Sequence, residues 1–505
     1  MLHYPTVKNN LERYIGARFP ILYIRTFEEA KADTFIESTA KVIRSKVLEW
    51  NGSDGFVDFR TKASFMPNQT LEATLSFLKT GKELDRKLFV IKDADEFLND
   101  GRVQSSTPVI SLLKGVARKI RNGIDANIII ISSEVHIPPA LEKLVTVLEL
   151  DFPDEKEISG VINQFIEANN ISTVHAGLLD DMTLAFKGLS ESEIDDLLRL
   201  AYNMDGELTS KALKLISEQK QQVIMKAGVL EMVLLKESID DIGGLENLKE
   251  WLKYKEKVFK NIKKAEAFGV AIPKGVLIAG LPGCGKSLTA KAAGKLFDLP
   301  LLRLDMGRLM GRYVGESEEN MRKAIRLANA ISPCVLWVDE LEKAFAGISG
   351  GGSEVTTRLF GTFLTWMQEK TSPVFVVATA NKINDLPPEL LRKGRFDEIF
   401  YVDFPNEEER KKIFEIHIKK RRKQDLPNID VGILATRTKD YAGADIEGVV
   451  SESVEAVFVQ SRDSLTTEDV LARIEATHSL SETQPEKINE MREAYQAAKF
   501  KKASR

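Results

Sequence analysis

The chain has 505 residues, too many for one ordinary core, so two to four globular units are expected. A hydrophobic fraction of 43% with 29% charged residues describes a water-soluble globular protein, and a net charge of −4 gives no general attraction to nucleic acid. Only two cysteines, Cys284 and Cys334, occur, no apolar run is long enough to span a membrane, and no secretory signal pattern opens the chain, so a reducing intracellular compartment is expected. That compartment is the cytoplasm, or the plastid stroma if the gene is plastid-borne.

In the first half, strand-like apolar runs fall at 21–24, 46–50, 88–91, 127–131 and 145–150. They predict an α/β core over 1–153, with 154–235 as a helical lid and linker. The first run is followed by Arg25-Thr-Phe-Glu-Glu-Ala30, which has no glycine and carries two carboxylates that would repel an anion. Asp93-Ala-Asp95-Glu96 forms an acidic end to the 88–91 run. Between 205 and 238, Leu213, Ile216, Val223, Ile224, Val229, Leu230, Val233 and Leu234 recur in a helical pattern, the usual mark of core or lid packing.

The strongest signal lies at 280–287, Gly280-Leu-Pro282-Gly283-Cys284-Gly285-Lys286-Ser287, set between a predicted strand at 276–279 and a predicted helix from Leu288. Strand, glycine-rich loop and helix together make a phosphate cradle. Gly283 and Gly285 let backbone N–H groups converge on phosphates, and the helix N-terminus adds its positive dipole end. Lys286 can reach the β- and γ-phosphates of ATP, and the Ser287 hydroxyl can ligate Mg²⁺. Cys284 reads as a small loop residue in preference to a redox thiol. Further on, the predicted strand 334–338 ends in Asp339-Glu340, where ligands belong in an open α/β sheet. In that frame Asp339 would hold Mg²⁺ and Glu340 would activate water. The run 374–380 ends in Asn381, an amide able to hold the lytic water or simply a turn residue. Arg392 and Arg395 follow near the end of a predicted helix, suited to stabilising charge in phosphoryl transfer.

With these motifs in this order, residues 236–460 resemble the AAA family of hexameric ATPases. The resemblance implies that Ile242 and Gly243 pack on adenine, that Pro282 to Leu288 hold the phosphates, and that Arg392 and Arg395 are paired arginine fingers toward a neighbouring subunit. Gly443 and Ala444, within Tyr441-Ala-Gly443-Ala444-Asp445, match the start of a lid helix that contacts adenosine. Tyr313 resembles a pore-loop aromatic that grips polypeptide, with an ordinary half-buried loop aromatic as the alternative. The glycine-rich 347–353 falls where a second pore loop would be. One departure stands out: Met367-Gln-Glu-Lys370 replaces the family's Asp-Gly-Phe relay between subunits.

The first half parallels the second. Ile137-Pro-Pro-Ala-Leu141 matches Leu386-Pro-Pro-Glu-Leu390, and Asp151-Phe-Pro-Asp154 matches Asp403-Phe-Pro-Asn406. Glu134 falls where Asn381 sits and Lys143 where Arg392 sits. The expected fold is therefore α/β with two tandem AAA-type modules, each a parallel-sheet core with a helical lid, the first degenerate; an unrelated α/β adaptor is the alternative for the first half. The active core is expected over 236–405, with a helical lid and a C-terminal helix or tail, basic at its end, over 406–505. The expected function is Mg²⁺-dependent ATP hydrolysis in a homo-oligomeric, hexameric ring that remodels or assembles a protein client, without a membrane. Alternatives are a regulatory assembly factor that threads nothing and, less favoured for want of stacking aromatics, a nucleic-acid motor.

Overall fold

The computed structural model describes the chain except residues 1–3, 27, 67, 68, 81–84, 99–105, 134, 172–175, 227, 310–315, 346–353 and 393. Tyr313, Glu134 and the glycine-rich 347–353 lie outside the described residues, as do the side chains of Asp95 and Glu96. The chain divides into two compact units, Met1–Leu213 and Lys214–Arg505.

Among its described residues the first unit holds seven strands: β1 (Ile21–Arg25), β2 (Lys46–Asn51), β3 (Gly55–Asp58), β4 (Ser64–Met66), β5 (Lys87–Ile91), β6 (Ala126–Ser132) and β7 (Val145–Glu149). They run β4-β3-β2-β5-β6-β1-β7, with β3 antiparallel to both of its neighbours and every other pair parallel. All seven residues of β6 are buried, as a central strand covered on both faces requires. Leu22, Ile24, Val90 and Ile129 pack on one face, and Tyr23, Phe89, Ile128 and Ile130 on the other.

The described residues of the second unit also form seven strands: β8 (Leu230–Val233), β9 (Gly275–Gly280), β10 (Leu301–Leu304), β11 (Cys334–Val338), β12 (Val374–Ala380), β13 (Glu398–Val402) and β14 (Lys501–Lys502). Their order is β14-β13-β9-β12-β11-β10-β8, parallel except for β8. The five strands β13-β9-β12-β11-β10 have the same chain-order permutation as β7-β1-β6-β5-β2 of the first unit. Helices Glu407–Arg422, Val431–Arg437, Gly443–Val459 and Thr467–Ala476 follow and bury a core of their own around Phe414, Ile418, Leu434, Ile446 and Val450.

Two expectations need correction. The helical stripe of 205–238 stops at Lys226: Gly228 adopts φ +80°, and Leu230–Val233 leaves as a strand paired antiparallel with β10. The second sheet therefore begins before 236, and the division between units falls inside the helix Ser210–Lys226. The basic end of the sequence is no solvated tail. Lys501 and Lys502 pair with β13, the Ala503 N–H donates to the Tyr401 carbonyl at 2.9 Å, and Ala503 is fully buried.

Candidate functional site

The C-terminal ends of β9, β11 and β12 converge on one edge of the second sheet. Val276 to Ala279 are fully buried, which fixes the direction in which the chain leaves β9. Gly280, at φ +158°, lies so close to the Val402 carbonyl that a Cβ would come within 2.0 Å of it. Gly283 and Gly285 take φ of +74° and +87°, left-handed conformations that glycine adopts without penalty. The helix Lys286–Phe297 then starts directly beneath the loop.

Lys286 is buried, and its ammonium donates to the carbonyls of Gly280 at 2.9 Å and Leu281 at 2.7 Å. Among the described residues no carboxylate lies within ion-pair distance of it. Burial brings its pKa down to about 8. Its direct hydrogen-bond partners are carbonyls, with Glu342, Asp339 and Glu340 acting on it from farther off, so a polyphosphate can serve as its direct anionic partner. The chemistry of the donor set fits ATP in this respect.

The neighbouring strand ends form a polar network. Ser287 Oγ donates to Asp339 Oδ1 at 3.0 Å, and the Thr379 hydroxyl donates to the same oxygen at 2.6 Å. Thr379 Oγ1 also accepts from the Glu340 N–H at 3.0 Å. Glu340 sits at φ +49°, an unfavourable conformation for a residue with a Cβ, held there by that bond. Asn381 Nδ2 donates to Glu340 Oε1 at 3.2 Å, while the other Glu340 oxygen pairs with Lys343 at 2.5 Å. The Asn381 N–H donates to the buried Glu342 carboxylate at 3.0 Å, and burial pushes that carboxyl above its usual range.

Above the loop lies a cavity of about 210 Å³, lined by Ile242, Gly243, Gly283, Cys284, Gly285, Leu288, Gly443 and Ala444 together with Ile413 and His417. Gly243 is packed so closely that a Cβ would stand 2.4 Å from Ile413 Cγ1. A Cβ on Gly283 would press on the methyl groups of Ala442 and Ala444. The Ala444 N–H donates to the Gly283 carbonyl at 3.0 Å, joining the helix Gly443–Val459 to the loop. The Cys284 thiol is pushed up to about 12 by burial, which leaves it unreactive as a nucleophile.

The structure thus brings Lys286, Ser287, Asp339, Glu340 and Asn381 together and gathers Ile242, Gly243, Gly443 and Ala444 around the adjoining cavity. It does not bring the two arginines to them. Arg392 is exposed, 4.0 Å from Glu389, and Arg395 folds inward to donate to the Glu389 carbonyl. Neither bonds to the cluster of its own chain. The turn that carries them is held by Lys274, whose ammonium donates to the carbonyls of Gly394 and Gln368, both at 2.7 Å. Thr379, Glu342, Ile413 and His417 were missed by sequence reasoning. Thr379 alone left a trace, as the one hydroxyl in the apolar run of β12.

In the first unit the corresponding positions differ in chemistry. The residues after β1 place Glu28, whose carboxylate accepts from the Glu191 N–H at 2.7 Å, at the start of the helix Glu191–Asp205. Lys31 bonds to Glu191 at 2.8 Å. After β5, the counterpart of β11, stands Lys92 in the place of Asp339, paired with Asp33 at 2.7 Å. Asp93 follows at φ +54°, matching the left-handed Glu340.

A parallel sheet with a glycine loop, a buried lysine and an acidic strand end beside it defines a P-loop nucleotide hydrolase. Residues 276–404 match the family described as ATPase family associated with various cellular activities (AAA). Residues 7–150 and 156–227 match the N-terminal and second domains of SpoVK-like AAA ATPases. The AAA domain-containing protein ycf46 of Guillardia theta is 38% identical over 492 residues, covering 97% of this chain and 95% of its own length. The ycf46 protein of Pyropia yezoensis is 38% identical over 484 residues, covering 95% and 96%. A proteasome-activating nucleotidase of Methanococcus vannielii is 33% identical over 236 residues, 45% of this chain and 57% of its own. The chain belongs to the AAA ATPase family. It is an ATP-hydrolysing enzyme, and ATP with Mg²⁺ is its cofactor pair. Among the described residues no helix is long and apolar enough to cross a membrane.

Proposed function

We propose that the chain couples ATP binding and hydrolysis in its second unit to remodelling or assembly of a protein client, acting as a hexameric ring in the cytoplasm or plastid stroma. The observation that carries this reading is the convergence of Lys286, Ser287, Asp339, Glu340 and Asn381 on one sheet edge beside the cavity of Ile242 and Gly443. Ser287 and Asp339 would hold Mg²⁺, which when bound offsets charge on the phosphates. Lys286 binds and orients the phosphates, Glu340 takes the proton of the attacking water, and Asn381 holds Glu340 at its working angle. Arg392 and Arg395 serve a neighbouring subunit's site, which agrees with their distance from the cluster of their own chain.

The first unit is read as a second AAA-type module that has lost nucleotide binding. Its shared strand order supports common architecture. Glu28 puts a carboxylate at the helix start where phosphate would lie, and Lys92 puts a cation where Mg²⁺ would be held. Equilibrium dialysis should give one ATP per chain and none for Lys286→Ala; two per chain would sink the degenerate reading.

The lost Asp-Gly-Phe relay favours a second output, a regulatory assembly cycle without threading. The end of the helix Glu354–Glu369, where that relay would be, is instead held by Lys274. Turnover stimulated by an unfolded polypeptide supports remodelling. Stimulation by a folded partner alone, found by capture with Glu340→Gln, supports the regulatory output, and stimulation by DNA alone contradicts both.

A further inference from the structure

The helix Pro485–Ala498 lies beyond the four-helix core and returns to the ATPase sheet. Tyr495, 2% exposed, stacks on Tyr401 of β13 with ring centroids 4.5 Å apart. Its hydroxyl donates to the Asn381 carbonyl at 2.7 Å. Asn381 is the residue whose side chain donates to Glu340 and whose N–H is taken by Glu342. Its backbone N–H, its backbone carbonyl and its side-chain NH₂ are therefore all engaged, the carbonyl by this helix.

The phenol is itself held from both sides. Arg492, one turn earlier, pairs with Asp403 at 3.1 Å and Asp440 at 3.2 Å and lies over the Phe404 ring. After the helix, β14 pairs with β13, and Asn247 Nδ2 donates to the carbonyls of Lys502 at 3.2 Å and Ser504 at 2.7 Å.

We propose that Tyr495 is a positioning residue for hydrolysis, fixing the backbone of Asn381 so that its amide keeps Glu340 aligned, which makes residues 485–503 part of the ATPase site. This rests on the reading of Glu340 and Asn381 given above. A backbone carbonyl freed from its donor lets the peptide turn and the side chain of its own residue drift, and a misplacement near 1 Å costs on the order of a hundredfold in rate. Burial raises the phenol above the usual tyrosine value, so it stays a neutral donor throughout the working pH range.

The test is steady-state turnover of the full chain carrying Tyr495→Phe, which keeps the ring stack and removes only the hydroxyl. Turnover should fall roughly tenfold or more with KM for ATP unchanged. In a double-mutant cycle, adding Tyr495→Phe to Asn381→Ala should cost nothing further, because both changes act through one residue. Fully additive losses, or an unchanged kcat in Tyr495→Phe while Asn381→Ala is inactive, overturn the proposal. Full activity of Asn381→Ala would instead overturn the underlying reading of the site. Arg492→Gln loosens the same helix without touching the hydroxyl. If kcat simply tracks thermal stability across Tyr495→Phe and Arg492→Gln, the role is structural and the proposal falls.

Discussion

The Glu28 carboxylate accepts the Glu191 backbone N–H at 2.7 Å, and so ties the chain after β1 to the start of the helix Glu191–Asp205. Burial raises this carboxyl to about 7. An acid whose folded pKa is raised favours the fold fully below its unfolded value, and that contribution is lost as pH rises through the folded one. The window is pH 4.5 to 7, with an upper bound of roughly 3 kcal/mol. Hydrogen exchange of the full chain, corrected for intrinsic rates, should show protection of the helix Glu191–Asp205 declining from pH 5 to pH 8. Glu28→Gln keeps an acceptor and should remove that decline; an identical pH response in both proteins would show that Glu28 does not govern it.

Lys286 with a pKa near 8 must be protonated to meet phosphate. ATP affinity should therefore fall about tenfold per pH unit above pH 8 and be flat below pH 7. Lys286→Ala should bind weakly at every pH, whereas Glu340→Gln should keep ATP bound and lose turnover by at least about a hundredfold. Calorimetry and single-turnover assays separate the two. Equal loss of affinity in both variants would contradict the assigned roles.

Gly243 has no room for a methyl group, since a Cβ would also stand 2.9 Å from the Ile413 backbone nitrogen. Gly243→Ala should push the helix Glu407–Arg422 outward and open the cavity. Overpacking of this kind costs about 1–3 kcal/mol, which corresponds to roughly 5- to 150-fold weaker ATP binding. Unchanged affinity would place the base somewhere other than this cavity.

Arg392→Ala and Arg395→Ala should each retain ATP binding and lose about a thousandfold in turnover if they act across subunits. Mixing Arg395→Ala with Lys286→Ala subunits should restore part of that activity, because an intact Lys286 then meets a neighbour's intact Arg395. ATP should also drive oligomerisation of Glu340→Gln in sedimentation. A fully active monomer at all ATP concentrations would exclude the ring.

Legibility in the sequence followed range. The phosphate loop and Asp339-Glu340 were readable because their chemistry is encoded by spacing within one strand-loop unit. Thr379 and Glu342 were not, because their roles appear only when β11 and β12 lie side by side. Lys92 was passed over for the acidic residues after it, though its register on β5 puts it where Asp339 follows β11. β14 is not legible because Lys501 and Lys502 read as part of a basic tail; only their pairing with β13 and the buried Ala503 show a strand. Tyr495 lay in an amphipathic helix that gave no hint of its partner 114 positions earlier.

The pairing of β14 with β13 also bears on how the chain comes off the ribosome. The phosphate loop, the acidic strand end and Asn381 are all synthesised well before residues 501–503, at roughly 5–20 residues per second. During that interval the outer edge of β13 is an open strand, able to accept any extended segment that reaches it. Its first legitimate occupant is the last to be translated of the fourteen strands described. Until residues 501–503 are made that edge stays open, so a chain stalled before them is left with an adhesive strand beside its phosphate loop.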